Sequence, residues 1–406
     1  MLNNEKIGLY LLSLRKYYKI TQEELAERLQ VSRQAISKWE TGASVPDIGL
    51  LLSLSEIYGI TINEILKADL NSLKNRKKVL FPQKDQGARK VFVIGCGRWG
   101  SFLAWYMDRI GQEVSLYGRK GSASLARLKE TRRNDQIRLP ESIALTDDLK
   151  GALEAEILII SVSAQQLSNV AKELLALGIE EKKIILCMKG LEIEGGRRLS
   201  QIMSDTLPES NRIAVWLGPG HVQEFYKGVP NCMVIDSTDE FLKDELIRLF
   251  SSDLIRFYYG TDLIGNEIGA AAKNVIGIAA GMLEGAGRAS LKGALMARGT
   301  REISELIAAM GGKAQSAYGL CHLGDYEATL FSSHSQNLAF GKSVVAKTPY
   351  TKLAEGYYTV KALHNLSKAY GVELPICGAV YRILYEDADA LYVLERLFDR
   401  SLKNEF

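Results

Sequence analysis

Cysteine is scarce and scattered in this 406-residue chain: Cys96, Cys187, Cys232, Cys321 and Cys377 make an odd count with no C-x-x-C pair. That excludes a disulfide frame and a cysteine zinc site, and the thiols read as reduced core residues of a cytoplasmic protein. No apolar run reaches the roughly 18 residues that a membrane span needs, and no signal-peptide core opens the chain. Charge of one sign is also lacking, since 51 Lys and Arg against 48 Asp and Glu leave a net charge of +3. Such a balance announces no nucleic-acid partner for the whole molecule, although a local patch can still carry one. What is present is apolar material, 47% of residues, in a chain long enough for two or three domains.

The first seventy residues are a string of short helical patterns. Ile7, Leu11 and Leu14 fall at helical spacing. TQEELAERL (21–29) opens with Thr21 and Glu24 in a capping-box arrangement, and Thr61 and Glu64 repeat it before a last short helix. VSRQAISKWETG (31–42) follows after a break too short for anything but a tight turn, with Ser32 as its cap. Val31, Ile36 and Trp39 point one way, while Arg33, Gln34, Ser37 and Lys38 point the other. Over about residues 6–67 this pattern closely resembles the helix-turn-helix of the Cro/phage-repressor-like (XRE) family. The resemblance implies that the third helix enters the major groove of DNA. Gln22 would then hold a phosphate, and Arg33, Gln34, Ser37 and Lys38 would face base edges. The competing reading is a small helical bundle used for docking or dimerisation. Acid balances base in this segment, so added attraction to DNA would have to come from elsewhere, for example LKNRKK (73–78). Residues 68–90 carry that basic cluster, a proline and a glycine without periodicity, and read as a linker. The expected boundaries are a head at 1–70 and a linker at 71–88.

KVFVIGCGRWGSFLA (90–104) holds an apolar strand, then Gly95, Gly97 and Gly100 in the G-x-G-x-x-G spacing, then a helix. EVSLYGRK (113–120) reads as the second parallel strand. Each glycine has a task in binding a dinucleotide: the tight turn, close approach to the pyrophosphate, and packing of helix on strand. Free amides at the helix start suit the phosphates. The second strand ends Tyr117-Gly118-Arg119-Lys120, without the acid that binds the 2′-hydroxyl of NAD. Two cations there favour NADP(H), with NAD(H) the second choice. EILIISV (156–162), KIILCMK (183–189) and IAVWLG (213–218) continue an α/β rhythm as strands covered on both faces. This Rossmann domain is expected over 89–261.

From about 262 to 406 the pattern becomes all-α. IGAAAKNVIGIAAGM (268–282) is almost wholly small or aliphatic, so Lys273 inside it is either functional or snorkelling to the surface. Helical patterns follow at 321–331, 333–341 and 354–363. In order, GCGRWG, MKGLE, GPGHVQE, AAAKNVIGIAAG, LGD, SQN-x-x-FG and AEGY resemble the motifs of NAD(P)-dependent sn-glycerol-3-phosphate dehydrogenases over about 89–395. The resemblance implies reduction of dihydroxyacetone phosphate, or of a related small ketone, by a homodimer. It makes Lys273 the catalytic lysine and places Lys189 on both substrate and cofactor. Gly218, Gly220, Asp325, Thr329, Ser335, Gln336 and Asn337 fall at substrate positions. Arg98, Trp99, Arg119, Val222, Gln336 and Glu355 fall at cofactor positions. Lys189 should lower the pKa of Lys273 and Asp325 should oppose that shift. Two residues depart from the pattern: Gly220 replaces a serine or threonine, and Gln336 replaces the arginine that grips the substrate phosphate. Lys342 and Arg301 are the neighbours considered for that lost charge. The competing function is a transcriptional regulator that senses redox state or a metabolite through a degenerate dehydrogenase domain.

Overall fold

Capping explains why so short a head is helical at all. The head is α1 (Asn4–Tyr17), α2 (Gln22–Leu29), α3 (Arg33–Glu40), α4 (Ile48–Tyr58) and α5 (Ile62–Lys67). Both capping boxes form: the Thr21 hydroxyl accepts from the Glu24 amide at 3.1 Å, and the Glu24 carboxylate accepts from the Thr21 amide at 2.7 Å. Ile7, Leu14, Leu25, Ile36, Trp39, Leu54 and Ile65 form the core. Glu40 is buried in this core, and its charge is met by Arg15 at 2.9 Å and by the Gln22 amide at 2.8 Å. An unpaired carboxylate there would cost several kcal/mol, on the order of 3–5.

The computed structural model describes residues 3–17, 20–58, 60–68, 87–332 and 334–397, in two units, Met1–Asp85 and Gln86–Phe406. The expected linker at 71–88, with its basic cluster, lies almost wholly outside the described residues.

The body opens with β1 (Lys90–Ile94), α6 (Arg98–Arg109) and β2 (Glu113–Tyr117), a parallel βαβ unit. α7 (Ala123–Thr131), β3 (Ala144–Thr146), β4 (Ile157–Ile160), α8 (Leu167–Ala176), β5 (Lys183–Leu186), α9 (Leu199–Thr206) and β6 (Arg212–Leu217) follow. α10 (Val222–Tyr226), β7 (Asn231–Asp236), α11 (Glu240–Phe250) and β8 (Ile255–Tyr259) complete the sheet. Its order is β3-β2-β1-β4-β5-β6-β7-β8. All neighbours pair in parallel except β6 and β7. The chain reverses direction along the sheet between β1 and β4, which opens a crevice at the strand ends just beyond Ile94 and Ile160.

The all-α part is α12 (Leu263–Gly285), α13 (Lys292–Ala309), α14 (Gln336–Ala346), α15 (Glu355–Tyr370), α16 (Pro375–Tyr385) and α17 (Ala390–Arg396). α12 is buried nearly all round and packs backbone-close on α14. A methyl group on Gly281 would lie 2.1 Å from the Leu338 carbonyl oxygen, and one on Gly341 would lie 2.1 Å from that of Ile278. The helix expected at 321–331 is instead a 3₁₀ turn (Leu323–Asp325) and one turn of π-helix (Glu327–Phe331). The next helix starts only at Gln336, because the Ser335 hydroxyl accepts from the Leu338 amide and caps it.

Candidate active site

Burying α12 on every side brings Lys273 into the interior, 7% exposed, so it does not snorkel. Its Nζ donates to Thr329 Oγ1 at 2.7 Å and lies 2.9 Å from Asp325 Oδ2. The π-turn places Thr329 to donate in turn to the Asp325 carbonyl oxygen at 2.8 Å. Lys189, three residues beyond β5, donates to the same Asp325 Oδ2 at 2.5 Å and to the Gly218 carbonyl oxygen at 2.6 Å. One carboxylate therefore serves two ammonium groups. Burial pushes the Lys273 pKa down to about 8, with Lys189 adding to the shift and Asp325 opposing it. Both named neighbours act in the expected directions, but burial is the larger cause.

The side chains of Asn274 and Asn337 join the helices around this centre. Asn337 donates to Asn274 Oδ1 at 3.0 Å and accepts from the Gly356 amide at 3.0 Å. This ties α12, α14 and the start of α15 together. The sequence reading had Asn337 but not its Asn274 partner, whose only signal was polarity beside Lys273.

The crevice beyond β1 and β4 is lined by Gly95, Gly97, Tyr117, Gly118, Arg119, Ser122, Ser161 and Asn169. Gly97 ends α6 at its N-terminus without a side-chain cap, and a methyl group there would meet nothing within 4 Å. No packing demand explains this glycine. It keeps the backbone bare along the crevice, as close approach of a pyrophosphate requires. Arg98 is the first residue of α6. Trp99 packs on Phe102 at 5.0 Å and Phe225 at 6.4 Å between ring centroids. Val222 is buried at the start of α10. Glu355 starts α15 with Oε2 buried and unpartnered among the described residues. Burial raises its pKa to about 7, against the lowering effect of the Ala164 amide. A dinucleotide fits these residues.

Gly220 has a local reason. Its φ is +153°, and a side chain would place Cβ 2.2 Å from the Phe225 ring. Gln336 accepts from the Tyr350 hydroxyl at Oε1, 2.7 Å away. Neither neighbour considered as a substitute cation is free for a phosphate: Lys342 is ion-paired with Glu284, and Arg301 with Glu305 at 3.0 Å. The sequence reading also missed His322, buried, with Nδ1 on the Gly269 carbonyl at 2.8 Å and Nε2 on the Tyr326 hydroxyl at 2.7 Å. Burial lowers its pKa to about 4, so the ring is neutral and acts as a brace between α12 and the turn bearing Asp325. Among the described residues no cluster of His, Cys, Asp and Glu is arranged to hold a metal, and no helix is long and apolar enough to cross a membrane.

In the head, Arg33, Gln34 and Lys38 are exposed on one face of α3, and Ser37 is half-buried beside them. Arg33 pairs with Glu23 at 2.9 Å. The Gln22 side chain, expected on a phosphate, is committed to Glu40 in the free protein.

The model for the NAD-dependent glycerol-3-phosphate dehydrogenase N-terminus matches residues 90–242, and that for the C-terminus matches 262–395. A helix-turn-helix model matches 11–65. The chain is 31% identical over 329 residues to glycerol-3-phosphate dehydrogenase (NAD(P)+) of Pelodictyon phaeoclathratiforme, covering 78% of this chain and 99% of that one. It is 35% identical over 330 residues to the Fusobacterium nucleatum protein of the same name, covering 78% and 98%. A crystal structure of glycerol-3-phosphate dehydrogenase from Coxiella burnetii superposes with a TM-score of 0.72 at 27% identity, covering 77% of this chain and 99% of that one.

Proposed function

This chain belongs to the NAD-dependent glycerol-3-phosphate dehydrogenase family, and from that premise we propose that it reduces dihydroxyacetone phosphate, or a closely related small ketone, to the alcohol. The observation that carries the reading is Lys273, an inward-facing ammonium held by Asp325 and Thr329 beside the crevice domain. A bound nicotinamide cofactor supplies the hydride. Gly95, Gly97, Gly100 and the start of α6 at Arg98 and Trp99 would hold its phosphates, with Arg119, Val222 and Glu355 at its other parts. Reduction of a ketone leaves an alkoxide oxygen. Protonated Lys273 stabilises that charge, gives the oxygen a proton and is left neutral. Asp325 fixes the Lys273 ammonium, and Lys189 supplies a second positive charge without leaving Asp325. Ser335, Gln336, Asn337, Gly218 and Gly220 would surround the rest of the substrate.

Arg119 and Lys120 favour NADP(H) over NAD(H). The head reads DNA through α3, which suits a dimer on paired half-sites in a cytoplasmic protein. The neutral Gln336 favours one alternative, a regulator whose dehydrogenase body senses its ligands without fast turnover. Assays of NADPH oxidation with dihydroxyacetone phosphate, and with the unphosphorylated ketone, separate the two. Steady turnover of the phosphorylated ketone supports the enzyme, and saturable binding without turnover supports the sensor.

A further inference from the structure

The π-turn that carries Thr329 lies along one face of α12. Lys273, Gly277 and Glu284 share that face, since steps of four and eleven residues return to it on a helix. Thr329 meets Lys273 at one end, and a methyl group on Gly277 would lie 2.7 Å from Thr329 Cγ2. At the other end stands Lys292, the first residue of α13, 7% exposed. Its Nζ donates to the Leu330 carbonyl oxygen at 2.8 Å and to Glu284 Oε2 at 2.6 Å, and lies 5.1 Å from the centroid of the Phe331 ring. Leu330 and Phe331 are the last two residues of the π-turn. Glu284 also pairs with Lys342 of α14. Stability gives no reason for a buried ammonium here, since an apolar side chain of like size packs as well as an ion pair. The bond to Leu330 gives one: single π-turns are rare, and this one is closed at its C-terminal end by a donor from another helix.

We propose that Lys292 is a positioning residue for the ketone reduction: by fixing the Leu330 carbonyl it holds the π-turn where Thr329 Oγ1 meets Lys273 Nζ. The inference rests on the reading of Lys273 as the proton donor and adds what keeps its hydroxyl partner in place. Lys292 acts through Thr329, the residue before Leu330. Without the bond the turn relaxes from its wide spacing, and Thr329 moves off the ammonium. A hydroxyl that accepts from a lysine favours the charged form, so its loss lowers the Lys273 pKa further. It also leaves the ammonium free to turn away from the ketone oxygen.

The test uses the full chain, its Lys292→Met and Thr329→Val variants, and the two combined. Lys292→Met keeps the length of the side chain and removes the donor. Lys273 is titrated by NMR of chain isotope-labelled at lysine Cε, its signal identified by its absence in Lys273→Ala, and kcat and KM are measured for dihydroxyacetone phosphate. The Lys273 midpoint, about 8 in the parent, should fall in each single variant, by roughly 0.4–1 in pH. In both, kcat should fall by about two- to tenfold with KM within about twofold of the parent. Because both substitutions act on one contact, Lys292→Met should add less than about twofold, and no further shift, to a chain already carrying Thr329→Val. Lys292→Gln keeps a shorter donor. It should show the same changes at smaller size, and it carries the test if the methionine variant does not fold. A merely structural Lys292 would lower the denaturant midpoint and cost the same factor in both backgrounds. That result, or a Lys273 midpoint unmoved when Lys292 is replaced, overturns the assignment. The coupled shift in a parent chain without turnover would uphold Lys292 and sink the reductase reading instead.

Discussion

Lys273 and Gln336 carry opposite lessons at the scale of single residues. Lys273→Ala should abolish turnover while cofactor affinity, measured by fluorescence titration, stays within a few-fold. The donor form is the ammonium, and its pKa is lowered to about 8. Ketone reduction should therefore fall as pH rises through about 8, and alcohol oxidation should rise over the same range. A reduction limb that stays flat past pH 9 would point to another donor. For Gln336→Arg, a charge-assisted bond contributes about 1.5–3 kcal/mol against about 0.5–1.5 for a neutral one. The difference corresponds to roughly five- to thirtyfold in kcat/KM for a phosphorylated ketone. The unphosphorylated ketone should hardly change. Lys273 was legible in the sequence because a lone cation in an aliphatic helix is anomalous. Tyr350 was not, because fourteen residues of helix and irregular chain separate it from Gln336. No periodicity connects the two.

Elements show why some local departures were readable only in three dimensions. The βαβ unit announced itself through strand, glycines and helix in register. β7 and β8 did not, since the reversal between β6 and β7 belongs to sheet topology and leaves no mark in the order of residues. The departure at Gly220 from serine or threonine has a steric cause. α10 places the Phe225 ring where a Cβ at 220 would go, and Phe225 stacks on Phe102 at 5.0 Å. Gly220→Ser should destabilise the body by roughly 1–3 kcal/mol, read as a shift in denaturant midpoint. Phe225→Ala in the same chain should recover part of the steric loss introduced at 220. The strained φ would keep the rest. At the crevice, Arg119→Ala should reduce NADPH affinity and leave NADH affinity nearly unchanged. Equal affinities in the parent chain that survive the substitution would remove the preference.

A core in the head and three hydrophobic clusters in the body give the whole molecule two separately packed units with which to act. Dimeric DNA binding should show in footprints on the flank of its own gene as protections about one helical turn apart, roughly 34 Å. No protection at low salt would count against the DNA role. Glu355 adds a consequence for the molecule's proton inventory. With Oε2 buried and a pKa raised to about 7, its carboxyl is about half protonated at neutral pH. A cofactor group that donates to Oε2 favours the ionised form, so binding expels roughly half a proton at pH 7. Cofactor affinity should rise with pH through that range. The enthalpy of binding should differ between buffers in proportion to their ionisation enthalpies, and Glu355→Gln should erase the difference.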